Sequence, residues 1–269
     1  MRIVVNADDF GHSPDTVRAT IECLEEAAVT SASLIPGMQA TQEAVAYALS
    51  RPDLGFGAHL VFVDDREARP LSGAATLPSL TTGDGRFLPT NRIRLLALLG
   101  RIPIIEIERE IEAQLSFFLE RGLTLTHVDS HRHVHKLPSF RRALAHALPR
   151  FGISRVRSVQ DVYLRRPLTS ATYWLGAAWQ RELEREFQTT DHFYMPTSAG
   201  DERWAAKLLA RIDGLSGETL EVGVHPGLDE PWRARERQET VEFVEQAELR
   251  GHVLVGGAEL VRPSTTPRM

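Results

Sequence analysis

Residues 1–29, MRIVVNADDFGHSPDTVRATIECLEEAAV, decide the fold. An apolar, β-branched run leads into two aspartates, Asp8 and Asp9, and then into Ser13 and Pro14, where a helix begins. Ser13 suits the N-cap because its hydroxyl can accept from a first-turn N–H, and Pro14 suits the first helical position because no N–H is needed there. Val17, Ile21 and Leu24 then share one helical face. Strand, polar turn and helix in that order form the unit of a parallel α/β architecture.

The unit recurs along the chain. RIVVNA, SASLIPG, LGFGAHLVF, LTHVDS, SRVRSVQ, TLEVGVH and HVLVG read as strands, with an eighth near HFYMP. IIEIEREIEAQLSFFLERGL, SFRRALAHALPRFG and TYWLGAAWQRELEREF read as helices, the first closed by Gly122. Seven or eight strands in about 250 residues favour a TIM-like (β/α) barrel, distorted or incomplete, over an open sheet. The expected organisation is one catalytic domain over residues 1–262 and a flexible tail over 263–269. Asp64–Arg92, rich in Pro, Gly and Thr, reads as a long loop, either a functional lid or a mobile insertion.

Composition narrows the function. The 269 residues are 42% hydrophobic and 25% charged, enough for a substantial core, and the net charge of -5 offers phosphate backbones no global attraction, which argues against nucleic acid. A single cysteine, Cys23, excludes an internal disulfide framework and cysteine-rich zinc sites, so a metal here must use His, Asp or Glu. No signal segment is evident, and no apolar run approaches the roughly 18 residues of a membrane span. The expectation is a soluble, cytoplasmic chain, with a homodimer as the base-rate assembly.

In a TIM-like barrel the chemistry sits at the carboxyl ends of strands. Four strands here end in Asp or His: IVVNADD in Asp8 and Asp9, GFGAHL in His59, LTHVDSH in Asp129 and His131, LEVGVH in His225. Adjacent aspartates on a strand point to opposite sides, so Asp8 and Asp9 need a bend to serve one site, and they invite a division of labour between metal ligand and base. His127 to His135 holds four histidines and one aspartate in nine positions. If extended, His127, Asp129, His131, His133 and His135 share a face, and if helical, His131 and His135 do; since a catalytic ion takes about three protein ligands, not all can bind. His225, at its reference pKa near 6.5, suits a general acid. His12, His146, His192 and His252 lack such context and read as ordinary histidines. Trp174, Trp179 and Trp204, at helical spacing, read as core. Arg155 and Arg157 read as a structural salt bridge, or else as contacts to a substrate's hydroxyls or an anion at the rim.

NADDFG, GAHL, THVDSH and VHPG in that order, from Arg2 to about Leu260, resemble the YdjC-like carbohydrate deacetylases, the group that includes chitooligosaccharide deacetylase and the hopanoid-associated deacetylase. The resemblance implies a (β/α) barrel with one divalent ion, magnesium or zinc, at its carboxyl rim, and an N-acetylated sugar as substrate. It implies Asp9, His59 and His131 as ligands, Asp8 as general base and His225 as the acid that protonates the leaving amine. Relatives often carry another histidine after DSH; this chain has Arg132, which leaves Asp129, His127, His133 and His135 as substrate contacts or supports. The rival readings are a metal-dependent phosphoesterase or another amidohydrolase on the same barrel, and a non-catalytic metal- or sugar-binding protein.

Overall fold

A computed structural model describes residues 1–65, 68–196 and 202–260. The expected tail at 263–269 lies outside the described residues. In chain order the elements are β1 (Arg2–Phe10), α1 (Pro14–Glu25), β2 (Ser31–Leu34), α2 (Thr41–Ser50), β3 (Gly55–Leu60), α3 (Thr90–Leu98), α4 (Ile104–Leu119), β4 (Val128–Ser130), α5 (Pro138–Ala147), α6 (Ala171–Glu184), β5 (His192–Tyr194), α7 (Trp204–Ile212), β6 (Thr219–Val224), α8 (Pro231–Leu249) and β7 (Val253–Leu254). Ser13 caps α1 in a reciprocal pair with Thr16, as its sequence suggests.

The strands are parallel and run β4-β3-β2-β1-β6-β5, with β7 beside the start of β1. β1 pairs with β6 from Arg2↔Thr219 to Ala7↔Val224, while its register with β2 shifts between Ala7 and Phe10. The run SRVRSVQ contributes only isolated bridges, Val128↔Val156 and Arg155↔Gln188. They carry the curl of the sheet from β4 toward the segment that enters β5. The result is a half-barrel compatible with a distorted TIM-like barrel; among the described residues no continuous eight-strand ladder forms.

Alternation along each strand sorts the side chains. Ile3, Val5 and Ala7 on β1, Ala32 and Leu34 on β2, Phe56 and Ala58 on β3, and Leu220 and Val222 on β6 belong to the apolar core. The other face carries Asn6 and Asp8, Ser31 and Ser33, Gly57 and His59, His127 and Asp129, and Glu221, and the polar members are almost fully buried. The inside of the curl is therefore polar.

The Asp64–Arg92 segment has structure of its own, with a short 3-10 turn at Ala74–Thr76, a Thr81↔Phe87 bridge, and the start of α3 at its end. Two buried carboxylates on α4 pin it. Glu110 accepts from the backbone of Leu71 and Ser72, and Glu106 accepts from Ser79 N.

Gly57 admits the His127 ring, and a Cβ there would run into the imidazole. Gly57→Ala is expected to destabilise the fold by about 1–3 kcal/mol in urea unfolding. Adding His127→Ala should recover part of that loss, because the clash goes with the ring; equal losses in the single and double variants would contradict this packing.

Candidate metal and catalytic site

The bend required of the two aspartates exists. Asp9 adopts φ 59°, the left-handed region that costs a side-chain-bearing residue about 1–2 kcal/mol, and it sits inside the β1 irregularity. The turn swings Asp9 onto the side where Asp8 already points. Asp8 is gripped from below: Arg157 Nη1 and Nη2 donate to its two oxygens at 2.5 and 2.6 Å, and Asn6 Nδ2 donates to Oδ1 at 2.8 Å.

Asp9, His59 and His131 each bring one ligand atom within 4.8 Å of the others. Asp9 Oδ1 lies 2.9 Å from His131 Nδ1 and 3.3 Å from His59 Nε2, while Asp9 Oδ2 accepts from Arg233 Nη2 at 2.9 Å. Asp129 Oδ1 sits 2.8 Å from His59 Nδ1 and so turns Nε2 toward Asp9. A carboxylate behind a ligating imidazole is how proteins fix the tautomer and orientation of a metal-binding histidine.

Burial penalises every charge in this cluster, yet opposite charges prevail. His131 and His59 hold Asp9 well below the usual carboxylate range. Asp129, Asp9 and Asp8 push the His59 imidazole up to about 10, and Asp9 with Asp65 raises His131. Three carboxylates around two imidazoles demand positive charge. A divalent ion on the same oxygen and nitrogens would meet that demand, so this donor set fits a metal. A second grouping, Asp8 with His59 and Asp129, also satisfies the distances. Arg157 already serves it, at 2.5 Å from Asp8 and 2.6 Å from Asp129.

These groups open into a cavity of about 590 Å³ lined by Asp8, Asp9, His59, His131 and, across from them, His225. Glu236 Oε1 accepts from the His225 backbone N–H at 2.6 Å and lies 3.1 Å from Nδ1, which leaves Nε2 as the nitrogen able to hand a proton to a ligand. Trp232 lies beside the imidazole, and the Arg233 guanidinium sits over the indole.

The other predicted positions fall elsewhere. Arg132 and His133 take φ 56° and 55°, so the chain winds through a turn at His131–Lys136 and the expected shared face is lost. His133 still lines the cavity, its Nε2 3.0 Å from Met195 Sδ. His135 is buried against Ser130, and burial lowers it to about 3; burial with Arg155 nearby lowers His127 to about 4. Both are neutral and neither lines the cavity. Arg155 and Arg157 are buried in ion pairs with Glu221 rather than at the rim. Trp204 and Trp179 are core, while Trp174 is exposed.

His12, read from sequence as ordinary, lines the cavity 3.4 Å from Asp65, which also pairs with His131 Nε2 at 2.9 Å. Asp65, Trp232, Arg233 and Glu236 have no sequence signal as site residues: the first lies in a loop and the others on a helix with no apolar stripe. Replacing Arg157 with Met should cost about 3–5 kcal/mol in denaturant unfolding, because Asp8, Asp129 and Glu221 lose their shared counter-charge. A loss below about 1 kcal/mol would show that the three carboxylates do not depend on it.

The model of the YdjC-like protein family matches residues 2–253. A carbohydrate deacetylase of Brevibacillus brevis is 33% identical over 264 residues, covering 94% of each chain. A human carbohydrate deacetylase is 33% identical over 250 residues, covering 84% of this chain and 75% of its own. Among solved structures, one from Enterococcus faecalis, described as a proposed cellobiose-phosphate cleavage protein, superposes with a TM-score of 0.80 at 22% identity, covering 97% of this chain and 99% of that one, a likeness of fold. Matched over residues 2–253, with Asp8, Asp9, His59, His131 and His225 lining one cavity, the chain belongs to the YdjC-like family.

Proposed function

We propose that the chain is a carbohydrate deacetylase that hydrolyses the acetamide of an N-acetylated sugar. The observation that carries this reading is one cavity holding a metal-type triad, a separate carboxylate and a separate imidazole. Relatives named carbohydrate deacetylase at 33% identity over most of the chain support it.

Asp9, His59 and His131 would hold the divalent ion, zinc or magnesium, which when bound polarises the acetyl carbonyl and makes water acidic enough to lose a proton to a carboxylate. Asp8 takes that proton. Arg157 and Asn6 fix its carboxylate in place, so the base does not swing away toward solvent. As the C–N bond breaks, His225 Nε2 delivers a proton to the departing amine, with Glu236 holding Nδ1 and setting the tautomer. Trp232 presents an apolar face next to the acid, a surface on which a sugar ring can lie.

A two-ion phosphoesterase would need a second carboxylate-rich position about 3.5–4 Å from the first. Among the described residues the one further grouping, Asp8 with His59 and Asp129, already meets the Arg157 guanidinium, which disfavours that reading.

Protein stripped of metal should release no acetate from N-acetylated sugars, and zinc, magnesium, manganese or cobalt added back should restore release, identifying the ion. Asp8→Asn should lower kcat by at least about a hundredfold in the metal-restored enzyme. Phosphoester hydrolysis without acetate release from any sugar tested would overturn the proposal.

Glu236→Ala should lower kcat by about tenfold or more with little change in KM, since it acts through the orientation of His225. Equal losses in Glu236→Ala and in the Glu236→Ala/His225→Ala pair would show the two acting as one unit.

A further inference from the structure

Helix α3 turns an apolar stripe outward. Leu95, Leu98 and Leu99 lie at helical spacing and are 45% to 58% exposed, while Ile93 and Ala97 hold the buried side. Ile105, just beyond, is 58% exposed. The N-terminal half of α6 does the same, with Leu168 before it, then Trp174 at 66% exposed, and Leu175. Both elements border the His131–Lys136 turn: Arg94 of α3 donates to Arg132 O at 2.9 Å, and α6 packs on the same turn.

Charge on α3 and on the stretch leading into α6 is one-sided. Residues 87–105 hold Arg92, Arg94 and Arg101 and no acid; residues 162–175 hold Arg165 and Arg166 and no acid; the turn adds Arg132 and Lys136. Six arginines gather here, with Lys136, whose ammonium burial lowers to about 7, in a chain whose net charge is -5. Among the described residues none of the seven has an ion-pair partner. Outward leucines with an interfacial tryptophan, set among unpaired arginines, match the chemistry of a headgroup layer, where apolar side chains enter the acyl boundary and cations meet anionic lipid.

We propose that the α3 and α6 face docks peripherally on an anionic phospholipid surface, with the catalytic cavity opening toward that surface. Arg94 and Arg132 line the cavity and also belong to this face, so docking places the cavity mouth near the membrane. The proposal concerns binding and does not depend on which sugar is hydrolysed.

The test is co-sedimentation of the full chain with vesicles of phosphatidylcholine alone and of phosphatidylcholine with about one third phosphatidylglycerol. Binding to the anionic vesicles, weak binding to the neutral ones and release by salt are expected. Leu98→Glu/Leu99→Glu should weaken binding by at least about tenfold, and Trp174→Ser should weaken it independently. These residues lie outside the catalytic cavity, so acetate release from a soluble substrate should stay at the wild-type level and report folding. Wild-type protein left in the supernatant with both vesicle types would overturn the proposal, as would sedimentation insensitive to all three substitutions. A wild-type dimer by light scattering, made monomeric by the leucine substitutions and silent on vesicles, would assign the face to a second copy of the chain instead.

Discussion

One guanidinium, buried inside the curl of the sheet, holds the interior together. Arg157 meets Asp8 from β1, Asp129 from β4 and Glu221 from β6, with each ion pair between 2.5 and 2.6 Å. Three carboxylates this deep would otherwise repel one another and each would lose its hydration, a penalty of several kcal/mol per ion. The same contact explains how a segment with almost no ladder keeps its place. Residues 154–160 form only isolated bridges, yet Arg155 and Arg157 fasten them to β6 through Glu221. Side-chain charge does here what continuous backbone pairing does elsewhere in the sheet.

From that centre, each layer positions the next. Asp129, fixed by Arg157 and by Ser33 Oγ, orients His59; His59 faces Asp9; Asp9 meets His131; and His131 reaches Asp65. The left-handed backbone at Asp9 lets neighbouring residues of one strand serve one cavity from different directions. Strain of this kind persists only where surrounding contacts over-determine it, and Asp9 has three, from His59, His131 and Arg233.

The sequence made strand-end residues legible because a polar group closing an apolar run has few other reasons to be there. Asp8, Asp9, His59, His131 and His225 stand out that way, and they line one cavity. Which aspartate takes which role rests on family resemblance. The alternating histidines misled, since a period of two is informative only if the strand continues, and two left-handed residues without glycine end it at Ser130. Helices α2, α3, α7 and α8 are not legible in the sequence either. α2 has no side-chain cap, α3 begins behind Pro89 inside a stretch that reads as loop, and α7 begins at a left-handed Arg203.

Helix α8 shows why part of the site was hidden with its scaffold. Its buried residues include Arg233, Glu236 and Glu239, so a search for an apolar stripe finds little. Each of the three has a specific partner: Arg233 binds Asp9, Glu236 binds the backbone and ring of His225, and Glu239 accepts from Arg203 N and Ala205 N at the start of α7. The helix is thus docked partly by charge-assisted hydrogen bonds, those of Arg233 and Glu236 ending on the cavity residues Asp9 and His225. Attachment of α8 and organisation of the site are one set of interactions. A hydrophobic pattern reports such a helix poorly, because much of what the fold buries there is polar, and its partners are Asp9, more than 200 positions away, His225 just after β6, and the start of α7.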